Sequence, residues 1–362
     1  MVLRANGLPT GVPLSRAPQN RSMKTVICEA PGKLAVAEQP LPAAGPDDVL
    51  IRIKRVGVCG TDLHIFTGNQ PYLSYPRVMG HELSGIVESA PAGARVQAGD
   101  PVYVMPYLSC GHCVACRAGK TNCCTNIRVL GVHADGGMVE YLAVPQAFVF
   151  KADGVTLDQA AMIEFLAIGA HAVARADIAP RQRVLVVGAG PIGMAVVIFA
   201  KLRGAQVTVL DGRADRLAVC ATALNADHAV SLDTTEAATD AKRLAELTGN
   251  EGFDVVFDAT GNIKAMERGL DFVAHGGKYV LVSIVSSRIS FSDPEFHKRE
   301  TTLLASRNAT PADFETVLDA MRAGKIPTAA LNTHTLALGD LPTEFPKLLD
   351  PDAGVIKALV AC

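Results

Sequence analysis

The chain has 362 residues, a net charge of −2, 19% charged and 49% hydrophobic side chains, which suffices for two domains with cores of their own. No basic excess exists to hold a nucleic-acid backbone, and the apolar stretch 194–200 belongs to an amphipathic helical pattern too short to span a bilayer. Nine cysteines without a secretory signal imply a reducing, cytoplasmic compartment, because free thiolates are lost to oxidation elsewhere.

Residues 1–22 carry Arg4, Arg16 and Arg21 with no acid, and Pro9, Pro13 and Pro18 oppose the amphipathic helix of a transit peptide. A disordered extension is expected there, with Met23 opening the folded chain. From 23 to about 150, short alternating runs such as 49–56 and 102–105 are broken by Gly and Pro, which predicts a β-rich, loop-rich domain. Cys59 follows one such run, ahead of Thr61, Asp62 and His64, and His81-Glu82 follows Gly80. The run Cys110-x2-Cys113-x2-Cys116-x7-Cys124 brings four thiolates onto one tight loop, the donor set of a closed tetrahedral zinc site with Zn–S distances of about 2.3 Å. Cys123 is left over and is expected as a reduced, buried thiol. Glu164 then stands in apolar company between Ile163 and Phe165. Cys59, His81 and Glu164 can furnish the three ligands of a catalytic zinc with one position open. Taken singly, each reads equally as a core cysteine, a satisfied histidine and a capping or paired acid.

Near Arg183 the pattern becomes apolar strand, amphipathic helix, apolar strand, with strands predicted at 183–188, 206–211, 228–232, 253–258, 278–283 and 301–306. Alternation of this kind requires a doubly wound parallel α/β sheet. The first strand runs into Gly188-Ala189-Gly190-Pro191-Ile192-Gly193 and then a helical pattern, the context in which glycines permit a tight turn, backbone approach to a pyrophosphate and close helix packing. Asp211 ends the second strand, where a carboxylate accepts the ribose hydroxyls and repels a 2′-phosphate, so NAD is expected over NADP. Arg216 can stack beside the adenine, whereas Arg213 can soften that discrimination; both also read as solvated helix-start charges.

Over residues 23–362 the chain resembles the zinc-containing medium-chain dehydrogenases, on Cys59 to His64, Gly80 to Glu82, the 110–124 thiol loop and the 188–193 turn. Glu164 matches the zinc-ligand glutamate of the polyol-type branch, although Phe165 stands where that branch has proline. Segments 68–77, 121–124, 131–137, 291–298 and 306–311 are similar to those of sugar-acid dehydrogenases. The resemblance implies a GroES-like catalytic domain at 23–165 with a zinc lobe at 106–128, a Rossmann domain at 166–302 and a return to the first domain at 303–362. It further implies two zincs, a catalytic one on Cys59, His81 and Glu164 and a structural one on the four loop cysteines. Asp62 would orient His81, Glu82 would be a transient ligand, and Thr61 and His64 would relay a proton. Thr260 and Ser283 join the glycine turn and Asp211 as cofactor contacts. Implied chemistry is hydride transfer to NAD from a secondary hydroxyl, at carbon 5 of a hexonate such as L-galactonate, L-gulonate or L-gluconate. Arg307, backed by Tyr72, Tyr75 and Lys298, is the candidate for the carboxylate, and bracing the domain junction is its other reading. A polyol dehydrogenase, an L-threonine 3-dehydrogenase and an inactive zinc- and nucleotide-binding protein are the alternatives, and a homodimer or homotetramer is expected.

Overall fold

In the computed structural model, which describes residues 21–70, 73–232 and 237–362, the run around 49–56 becomes the strand Asp48–Val58. Val49, Ile51 and Ile53 are buried while Arg52 points out, as period-two alternation demands. From Val56 to Val58 all three residues are buried, because this end is flanked on both sides: Gly57 pairs with Glu82 of the strand Glu82–Ser89, and Val58 with Ala358 of the C-terminal strand Lys357–Ala361. Cys59 therefore emerges between the two strands that begin with Glu82 and Lys357. These belong to a seven-stranded, mainly antiparallel sheet that also takes in Asn332–Ala337, so the chain's last residues rejoin its first domain.

The second sheet has six strands, all parallel, in the spatial order His228–Ser231, Gln206–Asp211, Arg183–Val187, Phe253–Asp258, Val273–Leu281, Thr302–Ala305. This is the doubly wound order, with the chain reversing direction beside Arg183–Val187. The fifth strand starts at Val273 rather than 278. His275, Gly276 and Gly277 interrupt the apolar run, and the register with the fourth strand shifts there, so the sequence pattern concealed the strand's first half. The sixth strand ends at Ala305, three residues past the boundary expected at 302.

Helix Ile163–Ala176 runs across the expected 165/166 boundary and lies on helix Pro191–Leu202. Gly169 makes the approach possible, since a Cβ there would stand 2.4 Å from Cβ of Ala195. The helix that begins beside Glu164 is thus packed on the helix that begins at the nucleotide turn. Residues 1–20 of the expected extension, and Tyr72, lie outside the described residues. Arg21 and Ser22 are part of the fold, which corrects the start at Met23: the first strand is Ser22–Ala30, and the Arg21 guanidinium donates to the Tyr141 hydroxyl at 3.0 Å. Among the described residues no helix is long and apolar enough to cross a membrane.

Candidate active site

The thiol lobe is built from a one-turn helix, Val114–Arg117, and a 3-10 turn, Thr121–Cys123. The sulfurs of Cys110, Cys113, Cys116 and Cys124 lie within 4.8 Å of one another, with Cys113 and Cys116 at 3.5 Å. A zinc tetrahedron with bonds near 2.3 Å needs sulfur separations of about 3.8 Å. Backbone N–H groups, foremost that of Cys116, hold the Cys113 thiol down to about 5, and those of His112 and Cys113 bring Cys110 to about 7. Cys116, desolvated among the other three, is pushed up to about 11. Four thiols so packed cannot all ionise without a cation, so the lobe fits one. Cys123 is exposed, which corrects the expectation of a buried thiol: the lobe is too shallow to cover a side chain turned away from the four sulfurs.

A second donor group forms where Cys59, at the end of its strand, meets His81 and Glu82, whose ligand atoms also lie within 4.8 Å of one another. His81 and Glu82 are buried. Asp62, fully buried on helix Gly60–Thr67, ties the two loops together: Oδ2 accepts the Cys59 N–H at 2.9 Å and Oδ1 the Gly80 N–H at 3.1 Å. It also stands 3.8 Å from Nδ1 of His81. Behind Gly80, the loop bearing Gly131 and Gly136 approaches so closely that a Cβ at Gly131 would lie 2.9 Å from the Gly80 N, and one at Gly136 2.2 Å from its O. Glycine is obligatory there, and the contact holds His81 in place.

Glu164 stands beside this group without being one of the three closely grouped donors. Its Oε1 accepts a short hydrogen bond from the buried Tyr107 hydroxyl, and its Oε2 is buried with no partner. Burial pushes Glu164 up to about 7, with the Glu82 charge adding to the effect and His81 opposing it. Burial alone would lower His81, yet the charges of Asp62, Cys59 and Glu164 raise it well above the ordinary value. A second cation faces these acids beside His81: Lys357, wholly buried, donates to both Glu82 oxygens at 2.7 and 2.8 Å. A buried polar atom without a partner calls for one, and an orphan carboxylate oxygen among a thiol, an imidazole and a second carboxylate fits a divalent cation.

Thr61 is half-buried and His64 exposed on the helix behind Cys59. At the nucleotide turn Gly188 takes φ +98°, Gly190 caps the helix that Pro191 opens, and a Cβ on Gly193 would lie 1.8 Å from the Gly188 carbonyl oxygen. Ile192 follows in the first turn, half-buried. Gly188, Asp211 and Thr260 line one cavity of about 410 Å³, within the range of small-molecule sites. Asp211 supports this turn: Oδ2 accepts the Ala189 N–H at 2.6 Å and Oδ1 the Arg213 N–H at 2.7 Å. Thr260 caps Asp258 through its hydroxyl at 2.8 Å, and the Ser283 N–H reaches the Asp258 carbonyl at 3.4 Å. Arg216 points toward the Val355 carbonyl at 3.5 Å.

The substrate candidates divide. Arg307 is exposed, and its carbonyl accepts from Asn122 of the thiol lobe at 2.8 Å. Tyr75 donates its hydroxyl to the Ile65 carbonyl, and Lys298 pairs with Glu295 on the surface. Sequence reasoning missed Tyr107 and Lys357. The one available signal was a lysine heading an otherwise apolar strand, Lys357–Ala361.

Comparison with known proteins accords with this geometry. Residues 45–154 match the family described as alcohol dehydrogenase GroES-like domain, and residues 191–323 the zinc-binding dehydrogenase family. The chain is 44% identical over 340 residues to L-galactonate-5-dehydrogenase of Escherichia coli K12, covering 94% of this chain and 99% of that protein. It is 34% identical to L-idonate 5-dehydrogenase of Vitis vinifera, over 84% of this chain and 85% of that one. An alcohol dehydrogenase of Escherichia coli CFT073, solved with NADH, superposes with a TM-score of 0.87 at 30% identity, over 95% of this chain and all of that one.

Proposed function

The chain belongs to the zinc-binding alcohol dehydrogenases with a GroES-like domain, an enzyme family, and from that footing we propose that it oxidises a secondary hydroxyl of a sugar acid with NAD. The substrate proposed is a hexonate, oxidised at carbon 5, with L-galactonate first and L-gulonate and L-gluconate beside it. The 44% identity to an L-galactonate-5-dehydrogenase over 94% of the chain carries this reading.

Cys59, His81 and Glu164 would hold the catalytic zinc, with Glu82 as a transient ligand, and Cys110, Cys113, Cys116 and Cys124 the structural one. The catalytic zinc supplies Lewis acidity that lowers the pKa of a substrate hydroxyl. Asp62 keeps the Cys59 and His81 loops in register through the two N–H groups it accepts. Thr61 takes the hydroxyl proton and passes it toward His64 at the surface; the two lie three residues apart on one helix and share a face. The glycine turn receives the pyrophosphate and Asp211 the adenosine ribose. Arg307, exposed and without an ion pair among the described residues, would take the carboxylate through a bidentate contact.

A homodimer or homotetramer is proposed as well. Thr302–Ala305 is an edge strand of the parallel sheet, with Leu303 40% and nearby Ile284 77% exposed, and such an edge favours pairing with another chain.

The test is NADH formation with hexonates, hexitols, L-threonine and simple alcohols. L-galactonate is expected to exceed the corresponding hexitol by about 3 kcal/mol in kcat/KM, with Arg307→Ala erasing most of that margin. A hexitol oxidised as well as the hexonate would leave a polyol dehydrogenase instead.

A further inference from the structure

Two residues after the acid that would read the ribose stands a cation that the fold keeps occupied. Arg213 precedes helix Ala214–Thr222, and its own N–H is bound to Asp211. Its guanidinium donates from Nε to Oδ1 of Asp215 at 3.1 Å and from Nη2 to Oδ2 at 2.7 Å, the two-point geometry in which arginine binds carboxylates most firmly. The remaining arm, Nη1, donates to the Pro351 carbonyl at 2.6 Å. Asp215 lies one residue into the helix, and Pro351 comes from the C-terminal segment, 138 residues along the chain. Each of the three nitrogens of the fork thus has a partner, which fixes the direction the guanidinium faces, and the carboxylate that holds two of them is itself anionic.

A guanidinium beside the second strand's end is the group a dinucleotide fold uses to accept a 2′-phosphate. Here it is present in sequence and withdrawn in structure. We infer that Asp215 and the Pro351 carbonyl form a specificity clamp: they keep Arg213 from serving a 2′-phosphate, so that rejection of NADP depends on Asp215 as well as on Asp211. The inference rests on the NAD reading given above. It makes Asp215 a positioning residue, acting through Arg213 and touching no substrate atom.

The experiment measures binding of 2′,5′-ADP and 5′-AMP to the full chain by calorimetry, alongside kcat/KM for NADP and NAD. Asp215→Ala is expected to raise the affinity for 2′,5′-ADP relative to 5′-AMP by about tenfold, with kcat/KM for NADP rising in step and that for NAD moving less than about threefold. Asp215→Glu, which keeps an acid in reach of the fork, is expected to stay near the wild-type ratio. Adding Arg213→Ala to Asp215→Ala is expected to abolish the gain. An unchanged ratio in Asp215→Ala would overturn the clamp, and so would a gain that survives the loss of Arg213, since the cause would then be the general field of one acid fewer. A wild-type protein that prefers NADP defeats the NAD reading itself. A wild type that prefers NAD, with an unmoved Asp215→Ala, defeats the clamp alone.

Discussion

The Lys357 ammonium lies 4.4 Å from the centroid of the Phe165 ring. Phe165 stands where the resembled polyol-type enzymes have proline, and here its face covers the charge that neutralises Glu82. Burial alone would lower the pKa of Lys357, but the charges of Glu82, Cys59 and Glu164 outweigh it and hold the ammonium protonated. Lys357→Met strands the Glu82 carboxylate in the interior and is expected to cost about 3–5 kcal/mol in urea unfolding. Phe165→Pro restores the branch residue at a helix position where proline is tolerated, yet removes the ring. The expected loss is about 1–2 kcal/mol from the cation–π contact, plus the packing of a buried aromatic. Equal stability of Phe165→Pro and wild type would show that the ring contributes nothing.

Tyr107 holds one oxygen of Glu164 and leaves the other bare, so it sets which atom faces the donor group. Tyr107→Phe keeps the ring packing and deletes that bond. Metal retention at the catalytic centre, followed by chelator competition, is expected to fall by about 10–100-fold, as for other groups that orient a ligand. One zinc per chain should persist in the thiol lobe. Undiminished retention at both centres would remove Tyr107 from any role in positioning Glu164.

Paired substitutions separate the two proposed metal centres. Cys110→Ser should release the lobe's ion and lower thermal stability or oligomerisation, because a closed thiolate site contributes folding energy directly. Glu164→Ala should leave the fold standing and abolish turnover. Normal activity and two zincs per chain in Glu164→Ala would mean that Glu164 is not a ligand and would shift the third position to Glu82.

The pH dependence has a named contributor in Asp313. Burial would raise its pKa, but hydrogen bonds from His171 at 2.8 Å and from the Thr310 hydroxyl and N–H pull harder, and the carboxyl sits below its ordinary value. A folded pKa depressed below the unfolded one, near about 3.9, adds stability above that pH. The stability is lost as pH falls through the folded value. Asp313→Asn should therefore be less stable than wild type at neutral pH, with the gap closing as acid is added. A gap that stayed constant down the acid limb would assign the effect to packing.

Much of this was legible along the chain, and the failures share a cause. The parallel strands declared themselves through apolar runs of the right length, except where His275, Gly276 and Gly277 broke the pattern of the fifth. Cys59, His81 and Glu164 could be picked by donor type, although it is Glu82 that the fold groups closely with the first two. Lys357 could not be assigned, because its partner Glu82 is 275 residues away and a lysine before an apolar strand reads as a solvated strand end. Tyr107 is 57 residues from Glu164 and looks like an ordinary strand aromatic. Cys123 was misjudged for the opposite reason: local spacing shows which sulfurs group together and says nothing of how deep a lobe is. Pairing across the chain is the information that periodicity lacks.

The three-glycine contact behind His81 also determines where this protein can change. Gly131 and Gly136 both lie against the Gly80 backbone, so neither can acquire a side chain unless that backbone yields, and each yielding step displaces the adjacent histidine of the donor group. In the interval between the two anchors Val132 is buried in the first domain's core, Ala134 is half-buried against it, and Asp135 is bound to Arg77 and to the Val78 N–H, which leaves His133 as the exposed, freer position. Variation in this loop is therefore channelled chiefly into His133 beside the site, between walls that drift cannot move one residue at a time.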